Sequence, residues 1–216
     1  MIRVHVFVEG QTEETFVTEL LQEHFSRIDI YLNPILIRTG KKGKGGVSTY
    51  GKIQWQVKKK CKEDKTAYVT TMLDVYGLPK DFPGKAAAEK IPDIQSKVRH
   101  LEEEFFKDVG QNRFIPNLLM HEFEALLFSA PFAFAEWFDE EAARRLQEER
   151  KNFSTPEHID DDPETAPSRR ILRYCPAYQK PHHGILIALS IGLDNIRNEC
   201  EHFNRWIEKL EKLQER

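Results

Sequence analysis

Hydrophobic positions in the first 120 residues alternate between the spacing of a strand and the spacing of a helix. Short apolar runs typical of buried strands occupy residues 4–8, 34–37, 68–73 and 114–120. Between them, apolar residues recur with helical spacing over 12–25, 50–61 and 86–106, with Thr12 as the expected N-cap of the first helix. Because parallel neighbours need crossover helices, this order predicts an α/β fold with a mainly parallel four-stranded sheet and helices on both faces.

After residue 121 the pattern becomes helical. The predicted segments are 122–128, 133–138, 140–151, 168–174, 184–191 and 200–213. The sequence therefore predicts an α/β sheet core over 1–128 and a helical extension over 129–216 that packs on it as one compact unit. A chain of 216 residues with 40% hydrophobic content suits this size.

Composition narrows the classes of protein that remain. No run approaches the roughly 18 apolar residues of a membrane span, and the N-terminus lacks a signal-peptide pattern, so we expect a cytoplasmic protein without membrane contact. Cys61, Cys175 and Cys200 are few and widely spaced. They support neither a disulfide framework nor a zinc cluster.

Positive charge is concentrated in one segment although the net charge is −3. Residues 38–65 hold ten Lys or Arg against two acids. A glycine-rich stretch within this segment matches neither common phosphate-loop pattern, yet its lysines Lys41, Lys42 and Lys44 are predicted to contact a nucleic-acid backbone. A solvated helix with a lysine-rich face accounts for the charge equally well.

Two carboxylates follow predicted strands. Glu9, before Gly10, ends the first strand, and Asp74 ends the third. The carboxyl ends of parallel strands form the ligand-binding edge of an open sheet, so both acids should meet there. Neighbouring carboxylates repel unless a cation compensates, and Mg²⁺ (or Mn²⁺) prefers such oxygen ligands. An Asx turn is the structural alternative for Asp74.

Further polar residues are expected at the same edge. Glu13 can share the crevice, or it can merely complement the helix dipole. Glu122 or Glu124 would complete a metal shell or activate water, and Lys180 would contact phosphate unless it only precedes a helix. His121 beside them could equally be a buried, hydrogen-bonded residue. The predicted catalytic set is Glu9, Glu13, Asp74, Glu122, Glu124 and Lys180, with Glu9, Asp74, Glu13 and Glu122 as metal ligands.

Several motifs are similar to those of one family. VEGQTE at 8–13, LDVYGLPKDFPG at 73–84, HEFEALLF at 121–128, ETAPS at 164–168 and YQK at 178–180 resemble the domain of unknown function 4276 family. That family is a Toprim-like group related to the overcoming-lysogenization-defect nucleases. In Toprim domains a glutamate after the first strand and Asp-x-Asp after the third bind Mg²⁺. Tyr76 replaces the second aspartate here, so Glu13, Glu122 or Glu124 would have to substitute.

The resemblance implies a Mg²⁺-dependent nuclease or phosphodiesterase acting on DNA or RNA. It also implies an effector of a bacterial phage-defence system with an ATPase partner encoded nearby. The missing second aspartate favours an alternative, a non-catalytic adaptor or sensor that binds nucleic acid or the ATPase. A small-nucleotide phosphatase or a primer-synthesis enzyme is a third possibility on the same fold.

Overall fold

A parallel β-sheet forms the centre of the protein in the computed structural model, which describes residues 1–37, 49–159 and 164–215. Its strand order is β2-β1-β3-β4, with a short β5 also paired to β3, and every pairing is parallel. This confirms the predicted α/β class. The strands are β1 (Ile2–Val8), β2 (Ile30–Leu36), β3 (Tyr68–Asp74), β4 (Phe114–Ile115) and β5 (Leu118–Leu119).

The first half of the chain supplies the helices that connect these strands. α1 (Gln11–Phe16), a π-helical turn (Val17–Leu21) and α2 (Gln22–Ser26) follow one another without a break. Gly10, and not Thr12, is the N-cap of this segment, and Thr12 is buried in its first turn. The remaining helices of this half are α3 (Tyr50–Glu63), α4 (Lys85–Ala88) and α5 (Ile94–Val109).

The second half is helical. It comprises α6 (Glu124–Leu127), a 3₁₀ turn (Pro131–Glu136), α7 (Glu140–Arg150), a 3₁₀ turn (Pro156–His158), α8 (Pro167–Tyr174), a π-helical turn (Lys180–Gly184), α9 (Ile185–Ile191), α10 (Leu193–Glu199), α11 (Glu201–Glu211) and a final 3₁₀ turn (Lys212–Glu215). The hydrophobic pattern did not predict α10, which Gly192, at a φ of 79°, separates from α9.

Prolines divide two elements that the hydrophobic pattern predicted as continuous. The helix predicted over 86–106 is two helices, since Pro92 interrupts it and Asp93 caps α5 by accepting from the amide of Ser96 at 2.7 Å. The strand predicted over 114–120 is β4 and β5, separated at Pro116, whose missing N–H cannot join a ladder.

Two hydrophobic clusters cover the two faces of the sheet. Alternation along β1 sends Val4, Val6 and Val8 into one cluster and Phe7 into the other. The first cluster contains the residues of α9, α10 and α11, including Trp206, whereas the second is closed by α3 and α5. The helices of the C-terminal half therefore share a core with the sheet.

Two further features bear on the predicted class of protein. Within the described ranges, no helix has the length and apolar character needed to cross a membrane. Cys61, Cys175 and Cys200 are buried free thiols.

Candidate active site

Adjacent strands bring Glu9 and Asp74 together. β1 and β3 pair in register through Val8 and Met72, so the residues that follow lie side by side at the carboxyl edge of the sheet. The backbone amide of Asp74 donates to Oε1 of Glu9 at 3.0 Å. A Cβ at Gly77 would lie 3.2 Å from Oε2 of Glu9, so a larger residue at position 77 would press on that carboxylate.

Lys180 lies at the centre of the converging acids. Its Nζ is 2.9 Å from Oε1 of Glu13, 3.1 Å from Oε2 of Glu124 and 3.5 Å from Oδ2 of Asp74. The same ammonium lies 5.5 Å from the ring centroid of Phe123. Three elements distant in sequence and the π-helical turn Lys180–Gly184 thus meet at one point. We call Glu9, Glu13, Asp74, Glu124 and Lys180 the acid cluster.

Burial shifts the proton affinities of the acid cluster. Burial, reinforced by the charge of Asp74, raises the pKa of Glu9 to about 8. Burial also raises the pKa of Asp74 to about 6 and that of Glu124 to about 7, although Lys180 opposes both shifts. Burial alone would lower the pKa of Lys180, but the charges of Asp74, Glu124 and Glu13 hold it well above its usual range. Groups that exchange protons near neutral pH are typical of functional sites.

Two polar atoms of this region have neither a hydrogen-bond partner nor an ion-pair partner in the described part of the chain. They are Oδ1 of Asp74 and the hydroxyl of Tyr178, and both are buried. Such atoms are uncommon among the buried polar groups of folded proteins, and they can still accept a partner from outside the protein. Tyr178 was not among the predicted site residues, although the YQK motif contains it. Its burial, together with the charge of Glu124, raises its pKa well above the usual value.

Comparison with known proteins gives the chain a family. The sequence profile described as Domain of unknown function (DUF4276) matches residues 8–211. The chain belongs to the DUF4276 family. This confirms the resemblance that its motifs predicted. A search of curated proteins found no match.

A solved structure is also similar to this DUF4276 protein. It is the C-terminal region of the OLD protein from Xanthomonas campestris pv. campestris, with 18% identity and a TM-score of 0.41. The likeness covers 100% of this chain and 99% of that one. A likeness at this level does not bear on function, which must be argued from the site itself.

Glu122 and His121 occupy the edge of the DUF4276 acid cluster. Oε1 of Glu122 accepts from the backbone amide of Ser168 at the start of α8, while the charge of Glu122 helps to raise the pKa of Asp74 and Glu124. His121 is buried at a φ of 63°, and its carbonyl accepts from the amide of Tyr76 at 3.0 Å.

The structure brings together five of the six predicted catalytic residues and leaves Glu122 beside them. Tyr76, in the position of the second aspartate, is 50% exposed. Across 1–37, 49–159 and 164–215, no three His, Cys, Asp or Glu side chains are grouped as metal ligands would be. The predicted metal set stays a prediction, and Lys41, Lys42 and Lys44 lie outside the described residues.

Proposed function

We propose that this protein hydrolyses phosphodiester bonds in DNA or RNA with Mg²⁺ or Mn²⁺ as its cofactor. The observation that carries the proposal is the convergence of Glu13, Asp74 and Glu124 on one ammonium at the carboxyl edge of a parallel sheet, with Glu9 bound to the amide of Asp74. That edge is where open α/β sheets bind ligands. Acids with shifted pKa values beside a cation suit proton transfer next to an anionic substrate.

The donor atoms at this edge suit a divalent cation in their chemistry, although no three of the described side chains are grouped as its ligands. Glu9 and Asp74 would hold it, and Glu13 with Glu122 or Glu124 would complete its ligands. All their donor atoms are carboxylate oxygens, which Mg²⁺ and Mn²⁺ prefer, and the buried Oδ1 of Asp74 has no hydrogen-bond partner among the described residues. When bound, the cation supplies charge stabilisation for phosphoryl transfer and orients the attacking water.

The chain's own side chains have separable roles. Glu124, with a pKa of about 7, can accept a proton from water near neutral pH. Lys180 keeps its proton in the acid cluster, so its ammonium can bind a phosphate oxygen or neutralise the leaving oxygen. Glu13, 2.9 Å from Lys180, holds the ammonium in position.

Substitution of Asp74 tests the proposal. Asp74→Asn keeps the size of the side chain but removes its charge, so Mg²⁺-dependent cleavage of labelled DNA and RNA should fall at least about 100-fold. The melting temperature, measured in parallel, should show that the variant folds. Asp194→Asn, at an exposed position in α10, is the matched control and should cleave normally. Normal cleavage by purified Asp74→Asn protein would reject the assignment.

A second candidate is a non-catalytic adaptor that binds nucleic acid or a protein partner at the same edge. The position of Lys180 favours it, because an ammonium within 3.5 Å of three carboxylates offsets part of their charge without a metal. Mn²⁺ titration separates the candidates. In the hydrolase, Mn²⁺ raises the melting temperature of the wild type but not that of Glu9→Ala. In the adaptor, neither protein responds and neither cleaves.

We further propose that the protein acts as an effector in a bacterial phage-defence system together with an ATPase encoded nearby. Its DUF4276 membership and the motif resemblance to Toprim-like nucleases support this context. Co-expression with the neighbouring ATPase and purification of a joint complex is the corresponding measurement.

A further inference from the structure

An exposed tryptophan stands among lysines on the outer face of α3. The inner face of this helix packs Ile53 and Val57 into the core, whereas Trp55 leaves 60% of its surface exposed. The helix Tyr50–Glu63 carries five lysines against a single acid, Glu63. A large flat ring is therefore presented to solvent within a cationic surface. This surface, which we call the α3 face, consists of Trp55, Lys58, Lys59 and Lys62.

Trp55 forms a wall shared by two grooves. The larger, of about 400 Å³, is lined by Gln54, Trp55, Lys58, Lys59, Lys62 and Glu63. The smaller, of about 180 Å³, includes Trp55 and Lys59 together with Phe7 and Ile35 of the sheet. The indole thus borders both grooves, and Lys59 lies over one face of its ring.

The charges around the ring are only partly compensated. Lys59 lies 3.5 Å from a carboxylate oxygen of Glu63, and its ammonium is 4.9 Å from the centroid of the Trp55 ring. Lys58 and Lys62 make no ion pair with any residue that the structure describes. An anionic ligand would therefore gain two uncompensated cations on either side of an aromatic platform.

We propose that the α3 face binds single-stranded nucleic acid, with a base stacked on Trp55 and backbone phosphates on Lys58 and Lys62. Proteins that hold single strands combine aromatic stacking platforms with cationic grooves in this way. In a duplex the base faces are already stacked and cannot reach the ring. A protein partner with a neutral or basic surface would leave the charges of these lysines uncompensated. The inference rests on the proposed function in that it names the strand state of the substrate.

The N-terminal end of α3 contacts the loop that follows β3. The amide of Tyr50, the first residue of α3, donates to Oδ1 of Asp81 at 3.0 Å, in the loop that follows β3 and Asp74. At a rise of about 1.5 Å per residue, Trp55 lies roughly 7 to 8 Å along the helix from Tyr50. A strand held on Trp55 can therefore run along α3 toward the edge that carries the acids.

Binding measured in EDTA tests the proposal without chemistry. Labelled oligothymidine and a duplex of equal length are titrated with the full chain by fluorescence anisotropy. Trp55→Ala should weaken single-strand binding about tenfold, while Trp55→Phe should retain most of it. The control is Trp137→Ala, at another exposed tryptophan, and it should bind like the wild type. Because Trp55 is mostly exposed, its replacement should leave the melting temperature unchanged.

The lysines are tested by salt dependence. The double variant with Lys58→Glu and Lys62→Glu should bind the single strand with a weaker salt dependence. The magnitude of the slope of log affinity against log salt concentration should fall by about 1 to 2. Lys209→Glu with Lys212→Glu, on the C-terminal segment, makes the same change in net charge and should leave the slope intact. The proposal is overturned if Trp55→Ala binds the single strand as tightly as the wild type does. It is also overturned if the protein binds the duplex as tightly as the single strand and this affinity does not depend on Trp55.

The Asp74→Asn protein distinguishes this failure from a failure of the proposed function. If no cleavage is found but Trp55 still controls binding, the hydrolase proposal alone is lost. If Asp74 controls cleavage while Trp55→Ala binds normally, only the α3 face is rejected.

Discussion

At the scale of single residues, Lys180 determines how much negative charge the acid cluster can hold. Its ammonium approaches three carboxylates from different elements, yet the pKa values of Asp74 and Glu124 still stand near 6 and 7. One cation is therefore too little to offset the desolvation of so many acids. This electrostatic deficit is a physical reason for the proposal of a divalent cation at this site.

Glu9 gives the acid cluster a distinct pH dependence. The pKa of Glu9 is raised from 4.5 to about 8. Between these two pH values the folded protein keeps a proton on Glu9, whereas the unfolded chain has already released it. The free energy of unfolding should therefore fall as pH rises through that window. In EDTA, the free energy of unfolding of the wild type should decline between about pH 5 and about pH 8. We expect this decline to be smaller in Glu9→Gln by about 1 kcal/mol or more.

Chemical denaturation at several pH values is the measurement. Glu19→Gln, which changes an exposed acid on the neighbouring helical segment, should leave the wild-type decline unaltered. Identical pH profiles for Glu9→Gln and wild type would show that Glu9 titrates normally in the folded protein.

At the scale of elements, close packing between the turn Lys180–Gly184 and its neighbours positions Lys180. A Cβ at Gly184 would lie 3.1 Å from the hydroxyl of Tyr178, 3.3 Å from Thr12 and 3.4 Å from Phe123. We expect Gly184→Ala to push this turn outward and to lower the free energy of unfolding by about 1 to 3 kcal/mol. Because Lys180 shares the turn, cleavage should fall as well.

The matched control is Gly51→Ala in α3. A Cβ at Gly51 would meet nothing within 4 Å, so alanine should leave stability unchanged or raise it by up to about 1 kcal/mol. Denaturant titrations of both variants measure the difference. A Gly184→Ala protein as stable as Gly51→Ala would mean that the turn tolerates a methyl group.

At the scale of the whole molecule, α11 ties the C-terminal helices to the sheet. Trp206 is buried, and its Nε1 donates to Oγ1 of Thr70 on β3 at 2.9 Å. Trp206→Ala should lower the free energy of unfolding by about 3 to 5 kcal/mol, because it removes a large buried ring and a hydrogen bond. Trp137→Ala, at a 40% exposed position, should cost far less.

Unfolding of the wild-type protein tests the prediction that the chain forms a single compact unit. Since the helices of 129–216 and the sheet share one hydrophobic cluster, circular dichroism and tryptophan fluorescence of the wild type should report one coincident unfolding transition. Two separate transitions would mean that the helical extension folds independently of the core.

The sequence by itself determined the α/β class, most element positions and the placement of Glu9 and Asp74. These follow from local rules, because apolar spacing selects strand or helix and parallel strands deliver their last residues to one edge. The sequence also contains the reason for two of the differences. Because proline lacks an N–H, Pro92 divides the predicted helix and Pro116 divides the predicted strand.

Only the tertiary structure decided that Lys180, more than a hundred residues from Asp74, lies at the centre of the acids, and that Glu122 contacts the amide of Ser168. It also decided that Tyr178 is buried there and that Trp55 faces solvent. Local spacing restricts which residues share a face of one element, but not which faces of distant elements meet. That choice depends on packing the whole chain around a common core.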